Sequence, residues 1–117
     1  MTAKSILFRG LYPATVTPFA EVLSIDVPSL RKHLRTVAST SGVKGIVVNG
    51  GVGEILQLSH DEQVLIVREA AATVSQGQTV IAGISNSSAK RAAVEAHDLK
   101  AAGANALLVL PPFDVRA

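Results

Sequence analysis

The sequence contains no cysteine and no tryptophan, and its 117 residues include one tyrosine and one methionine. The first absence excludes disulfides, thiolate metal sites and a cysteine nucleophile, and it suits a reducing compartment. Aromatic residues make up 3%, too few for a platform on which bases could stack. The formal net charge is only +2, and the Lys and Arg residues are dispersed along the chain, so no basic surface for nucleic acid is expected. No apolar run approaches the roughly 20 residues of a membrane span. The opening "MTAKSILFRG" has a three-residue apolar run followed by Arg9, too short for the core of a secretion signal. These absences predict a soluble cytoplasmic protein without nucleic-acid or membrane partners.

What the chain has is rhythm. Hydrophobic residues make up 48% and charged residues 17%, enough apolar surface for a core and no compositional case for disorder. Short apolar runs alternate with longer segments of helical period, which is the pattern of βαβ units on a parallel sheet. The runs are "LYPATVTPF" (11–19), "GIVVNG" (45–50), "TVIAGI" (79–84) and "NALLVLPPF" (105–113). Their apolar centres predict parallel strands buried on both faces. Between them lie three stripes: Leu30, Leu34 and Val37; Val64, Val67 and Ala71; Ala92, Ala96 and Leu99. Asp26 ahead of Val27 and Pro28 predicts one helix start, and the capping-box pattern of Ser59 and Glu62 predicts another. Gly42, Gly77 and Gly103 are the expected helix stops. Right-handed crossovers of this kind build either an open doubly wound sheet or a closed barrel. Periodicity does not choose between them; four strands suit a small open sheet, whereas a barrel needs eight strands and about 250 residues.

The second run ends in "NGGVGE" (49–54), a glycine-rich turn before the helix start "LSHDE" (58–62). Such a turn leaves backbone N–H groups unpaired at the C-terminal end of a parallel strand, where an anion can sit. The bland alternative is a tight connection whose glycines only supply positive φ. Dinucleotide and Walker patterns are absent, since the spacing is not G-x-G-x-x-G and no lysine follows the glycines. Glu54 is expected to accept the loop's N–H groups rather than to act as a base. His33, His60 and His97 have no ligand spacing and read as solvated helix residues, so no metal is expected. Lys44, Lys90 and Lys100 fall on helix ends or faces, without the desolvated pocket that lowers the pKa of a nucleophilic amine. Tyr12 begins the first run and is expected to pack rather than to catalyse.

"ATVTPF" (14–19), "NGGVGE" (49–54), "VIAGIS" (80–85) and "VLPPF" (109–113) stand in order at successive strand ends. With these motifs the chain resembles, throughout its length, the N-terminal part of the dihydrodipicolinate synthase and N-acetylneuraminate lyase family. The resemblance implies that residues 1–117 form strands one to four and helices one to three of a (β/α)₈ barrel, the C-terminal half being absent. It implies a lyase that forms a Schiff base between a lysine and pyruvate or a related 2-oxo acid, with no cofactor, commonly as a homotetramer. The Schiff-base lysine and a catalytic tyrosine belong to later strands, beyond Ala117.

In the family the loop usually reads Gly-Thr-Thr-Gly-Glu or Gly-Ser-Thr-Gly-Glu and holds the pyruvyl carboxylate. Its two hydroxyl positions match Gly51 and Val52, so only backbone N–H groups, of Gly51, Val52 and Gly53, remain as donors. Thr17 is the expected pocket neighbour from the first strand, and Asp114 stands where the family carries a relay tyrosine. These departures imply a relative of the synthase with another aldehyde partner or a dehydratase-like reaction. His60 matches one of the residues that lysine-inhibited synthases carry after the second and third strands, but Gln63 and Arg91 stand where they carry a His and a Glu, so feedback by lysine is not expected. The competing expectation, of another class, is a non-catalytic half-barrel that only pairs with itself or a partner.

Overall fold

The computed structural model describes residues 8–112. Three helices, α1 (Val27–Ala38), α2 (His60–Thr73) and α3 (Ala89–Ala102), alternate with strands β1 (Gly45–Val48), β2 (Thr79–Ile84) and β3 (Ala106–Val109). The sheet order is β1-β2-β3, and both pairings are parallel, Ile46 facing Val80 and Ala82 facing Leu107. All three strands therefore finish on the same side of the molecule.

The first run does not form a regular strand. It lies parallel to β1 through isolated bridges, Leu11 to Val43 and Ala14 to Val47. The Thr15 N–H donates to the Val47 carbonyl at 2.9 Å, and the Val47 N–H donates to the Pro13 carbonyl at 2.9 Å. Pro13 lies on the side facing β1 and lacks the N–H group that a continuous ladder requires there, which accounts for the interruption. In a parallel pairing, alternate residues aim their amides to opposite sides. Because the Thr15 amide meets β1, that of Val16 points away, and His33 Nε2 on α1 accepts it at 3.1 Å.

The helix starts follow the sequence. The Asp26 carboxylate accepts from the Ser29 N–H at 3.1 Å, with proline in the first turn. Ser59 and Glu62 form the full reciprocal capping box. α3 begins at Ser88, whose hydroxyl accepts from the Arg91 N–H, a cap the sequence pattern had not marked. The expected stops need correction at two points. Gly103 does cap α3, but α1 ends on Ser39 and α2 on Val74, so Gly42 (φ 88°) and Gly77 (φ 90°) instead turn the connection into the next strand.

The core lies between the helices and one face of the sheet: Leu30 and Leu34 from α1, Ile46 and Val48 from β1, Ile66, Val67 and Ala70 from α2, Val80 and Ala82 from β2, and Leu99 from α3. The stripe of α2 is thus rotated from the expected one, with Val64 and Ala71 only half-buried. Burial on both faces fails at the last strand, where Leu107, Leu108 and Val109 are exposed. Among the described residues no helix or strand follows β3 to cover them.

Candidate functional site

The glycine-rich loop leaves β1 at Val48 and is shaped by two residues in the left-handed region, Asn49 (φ 58°) and Glu54 (φ 62°). It does not run directly into α2. A one-turn 3₁₀ helix, Ile55–Gln57, intervenes, and α2 starts only at His60, so no long helix dipole points at the loop. The loop closes on itself through Glu54 N–H to the Gly51 carbonyl at 3.0 Å and Ile55 N–H to the Gly50 carbonyl at 3.2 Å. Among the described residues, the N–H groups of Gly51, Val52 and Gly53 donate to no acceptor.

The glycines are not equivalent. A Cβ at Gly53 would sit 3.2 Å from the Asn49 nitrogen and the Thr15 carbonyl oxygen, so the loop packs there against the first run. At Gly50 and Gly51 nothing lies within 4 Å of such an atom, and φ is not left-handed; here glycine leaves open space. Underneath, Gly83 of β2 lets the Asn49 carbonyl approach so closely that any side chain would collide with backbone. An isolated glycine in an apolar strand is the signature of such an approach, and it was legible in "VIAGI" although it had not been singled out. Asn49, almost fully buried, donates from Nδ2 to the Gln63 carbonyl at 3.1 Å and ties the loop to the first turn of α2.

Thr17 is buried, and its hydroxyl donates to the Gly53 carbonyl at 2.7 Å. Its structural part is thus to hold the loop against the first run. Thr15 is buried as well and donates to the Val47 carbonyl at 3.2 Å, while Ala14 and Val16 are exposed, the alternation expected of this stretch. The Glu54 side chain does not accept the loop's N–H groups among the described residues: it is exposed, sits on a left-handed backbone and gives no cap to the 3₁₀ turn. Asp114 lies outside the described residues.

Two histidines depart from the expected solvated state. His60 Nε2 lies 2.8 Å from Asp98 Oδ2, joining α2 to α3, and His33 accepts the Val16 amide. His97 is exposed, as are Lys44, Lys90 and Lys100. Tyr12 packs edge-on against Phe8 with ring centres 5.8 Å apart. Among the described residues no group of three or more His, Asp or Glu side chains could hold a metal, and no helix is long and apolar enough to cross a membrane.

A succession of βα units whose loops gather at the C-terminal ends of parallel strands defines the class, the parallel α/β proteins, open sheets and (β/α) barrels alike. The family model described as "Dihydrodipicolinate synthetase family" matches residues 7–117, and the chain belongs to that family. It is 40% identical over 113 residues to the 4-hydroxy-tetrahydrodipicolinate synthase of Haloarcula marismortui, covering 97% of this chain and 36% of the relative. It is 39% identical over 110 residues to a protein of Emericella nidulans named as a mitochondrial 4-hydroxy-2-oxoglutarate aldolase, covering 91% and 35%. A crystal structure of N-acetylneuraminate lyase from Mycoplasma synoviae superposes with a TM-score of 0.81 at 25% identity, covering 92% of this chain and 37% of that one. The chain thus spans about a third of the length of these relatives, and its fold is the N-terminal βα segment of their barrel. Relatives named as the synthase are among those it matches beside the aldolase, so the expectation of a relative other than the synthase finds no support in them.

Proposed function

We propose that this chain forms the carboxylate-binding side of the active site of a lyase that acts on pyruvate or a related 2-oxo acid through a Schiff base. The observation that carries this reading is the set of three consecutive amides, Gly51, Val52 and Gly53, without acceptors among the described residues, just past the C-terminal end of β1. A hydrogen bond to a carboxylate is worth roughly 1.5 to 3 kcal/mol, so two or three such donors suffice to hold a small acid without side-chain hydroxyls. Thr17 supports the cradle by fixing the Gly53 carbonyl, and with it the course of the loop. The amine that forms the Schiff base comes from the later strands that the relatives carry, and the family's lyase chemistry belongs to that longer protein. A reducing cytoplasmic setting suits a chain without cysteine.

The test is a titration of the ¹⁵N-labelled chain with pyruvate, followed by amide chemical shifts. Saturable shifts at residues 51–53, absent with an uncharged analogue such as acetone, are the expected result. No movement at these amides removes the cradle.

One observation favours a second reading, a non-catalytic half-barrel that pairs with itself or a partner. Leu107, Leu108 and Val109 leave the β3 edge apolar and uncovered, a surface suited to association. Borohydride trapping with pyruvate, carried out on the longer protein that includes the later strands, separates the two: a mass adduct on a lysine supports the enzyme, and self-association without any adduct supports the half-barrel.

A further inference from the structure

In an extended strand successive side chains point to opposite faces. Ile46 and Val48 of β1 lie in the core beneath the helices, so one more strand residue would send its side chain with that of Val47, to the other face. Asn49 does the opposite. Its backbone is left-handed (φ 58°), and its side chain, in a residue only 1% exposed, reaches the helix layer, where Nδ2 donates to the Gln63 carbonyl of α2 at 3.1 Å. The turn at this residue reverses the alternation of β1 and ends the strand in the same step.

Few side chains meet both demands. Glycine, asparagine and aspartate enter the left-handed region with the least strain. Glycine brings no donor, and an ionised aspartate only accepts, so it would set a charged oxygen against the Gln63 carbonyl. Asparagine alone of the three supplies an N–H at that place.

The main chain around it is held as well. The Asn49 carbonyl fits against β2 in the space that Gly83 leaves, and a Cβ on Gly53 would stand 3.2 Å from the Asn49 nitrogen, so the two ends of the turn 49–53 pack together. At the far end the Glu54 and Ile55 N–H groups close onto the Gly51 and Gly50 carbonyls, and Thr17 holds the Gly53 carbonyl. The amides of Gly51, Val52 and Gly53 are suspended between these fixed points.

Resting on the carboxylate cradle proposed above, we infer that Asn49 is a positioning residue for it: by binding α2 from a left-handed turn, its side chain presets the course of residues 50–53 and so sets the affinity of the three amides for a carboxylate. Donors that are already in place lose less freedom when a ligand arrives, and the saving appears as affinity. The buried amide of Asn49 acts through the loop, since it is turned to α2.

The experiment follows the amide shifts of the ¹⁵N-labelled chain during titration with pyruvate. Asn49→Gly keeps a backbone free to take the left-handed turn and removes the tether. Pyruvate is expected to bind it roughly tenfold more weakly, the scale of one ordinary hydrogen bond, with the shifts still centred on residues 51–53. Asn49→Asp keeps the shape and the turn without the donor and is expected to weaken pyruvate at least as much; should it not fold, Asn49→Gly decides alone. Ile46→Val trims a fully buried residue near the start of β1, away from the loop, and is expected to lower stability while leaving pyruvate affinity unchanged, which separates positioning from a general loss of stability. Unaltered affinity in Asn49→Gly, or an equal loss in Ile46→Val, overturns the inference and leaves the cradle intact. Pyruvate that fails to move residues 51–53 in the unsubstituted chain removes the cradle, and the role of Asn49 with it.

Discussion

Replacing Gly83 by alanine tests the central feature of the fold around the loop, the contact of β2 backbone with the Asn49 carbonyl. The added methyl would fall inside van der Waals contact of the Asn49 oxygen and carbonyl carbon, and 3.2 Å from the Gly50 nitrogen. All three are backbone atoms, so no rotamer change relieves the clash; either β2 shifts in its pairing with β1 or the loop is displaced. Overpacking typically costs about 1 to 3 kcal/mol, and the upper end is expected where the obstacle is main chain. For a domain of this size, whose total stability is on the order of 6 to 17 kcal/mol, that is a large share. It corresponds to a fall in Tm of roughly 10 °C. Gly50→Ala is the matched control, because nothing lies within 4 Å of its new atom; it should be neutral or gain up to about 1 kcal/mol through a less flexible unfolded chain. Urea denaturation monitored by circular dichroism measures both. Equal stabilities for the two variants would refute the claim that Gly83 is required by backbone approach, and the account of how β2 seats the loop would fall with it.

Thr17→Val keeps the shape of the side chain but removes the donor to the buried Gly53 carbonyl. A loss of about 1 to 3 kcal/mol in denaturant titrations is expected, with weaker pyruvate shifts at residues 51–53; unchanged pyruvate binding would show that Thr17 does not position the loop. The ion pair of Arg31 and Glu69, with contacts of 2.8 and 3.0 Å, clasps α1 to α2, and the hydrogen bond from Arg31 holds the Glu69 carboxyl below its ordinary range. A depressed carboxyl stabilises the fold above its unfolded-state pKa, and that contribution disappears as pH falls through the lower folded value. Glu69→Gln should therefore flatten the acid side of the stability profile, by a small amount because Arg31 is half exposed. Parallel acid limbs in the two proteins would count against this coupling.

How much could be read before the structure differs from one part to another. The alternation of strands and helices from α1 onward, the Asp26 cap and the Ser59–Glu62 box are local, set by residues a few positions apart, and they appear where the sequence places them, although the buried stripe of α2 is rotated. The first run failed as a regular strand because Pro13 withholds a ladder amide, a cost that only the pairing with β1 exposes. The candidate loop was legible as a glycine-rich turn, but the length of its approach to α2 was not, since the 3₁₀ turn at 55–57 has no sharp sequence signal.

The sequence by itself determined the order of βα units, the family and the place of the glycine-rich loop after β1, because these rest on short-range pattern and on motifs. Only the tertiary structure decided that Gly83 makes room for Asn49, that Thr17 binds Gly53, that His60 meets Asp98, and that Asn49 turns its side chain to Gln63. Each of these joins residues tens of positions apart, or depends on a backbone angle, and such proximity is fixed by how strands and helices pack rather than by which residues neighbour one another along the chain.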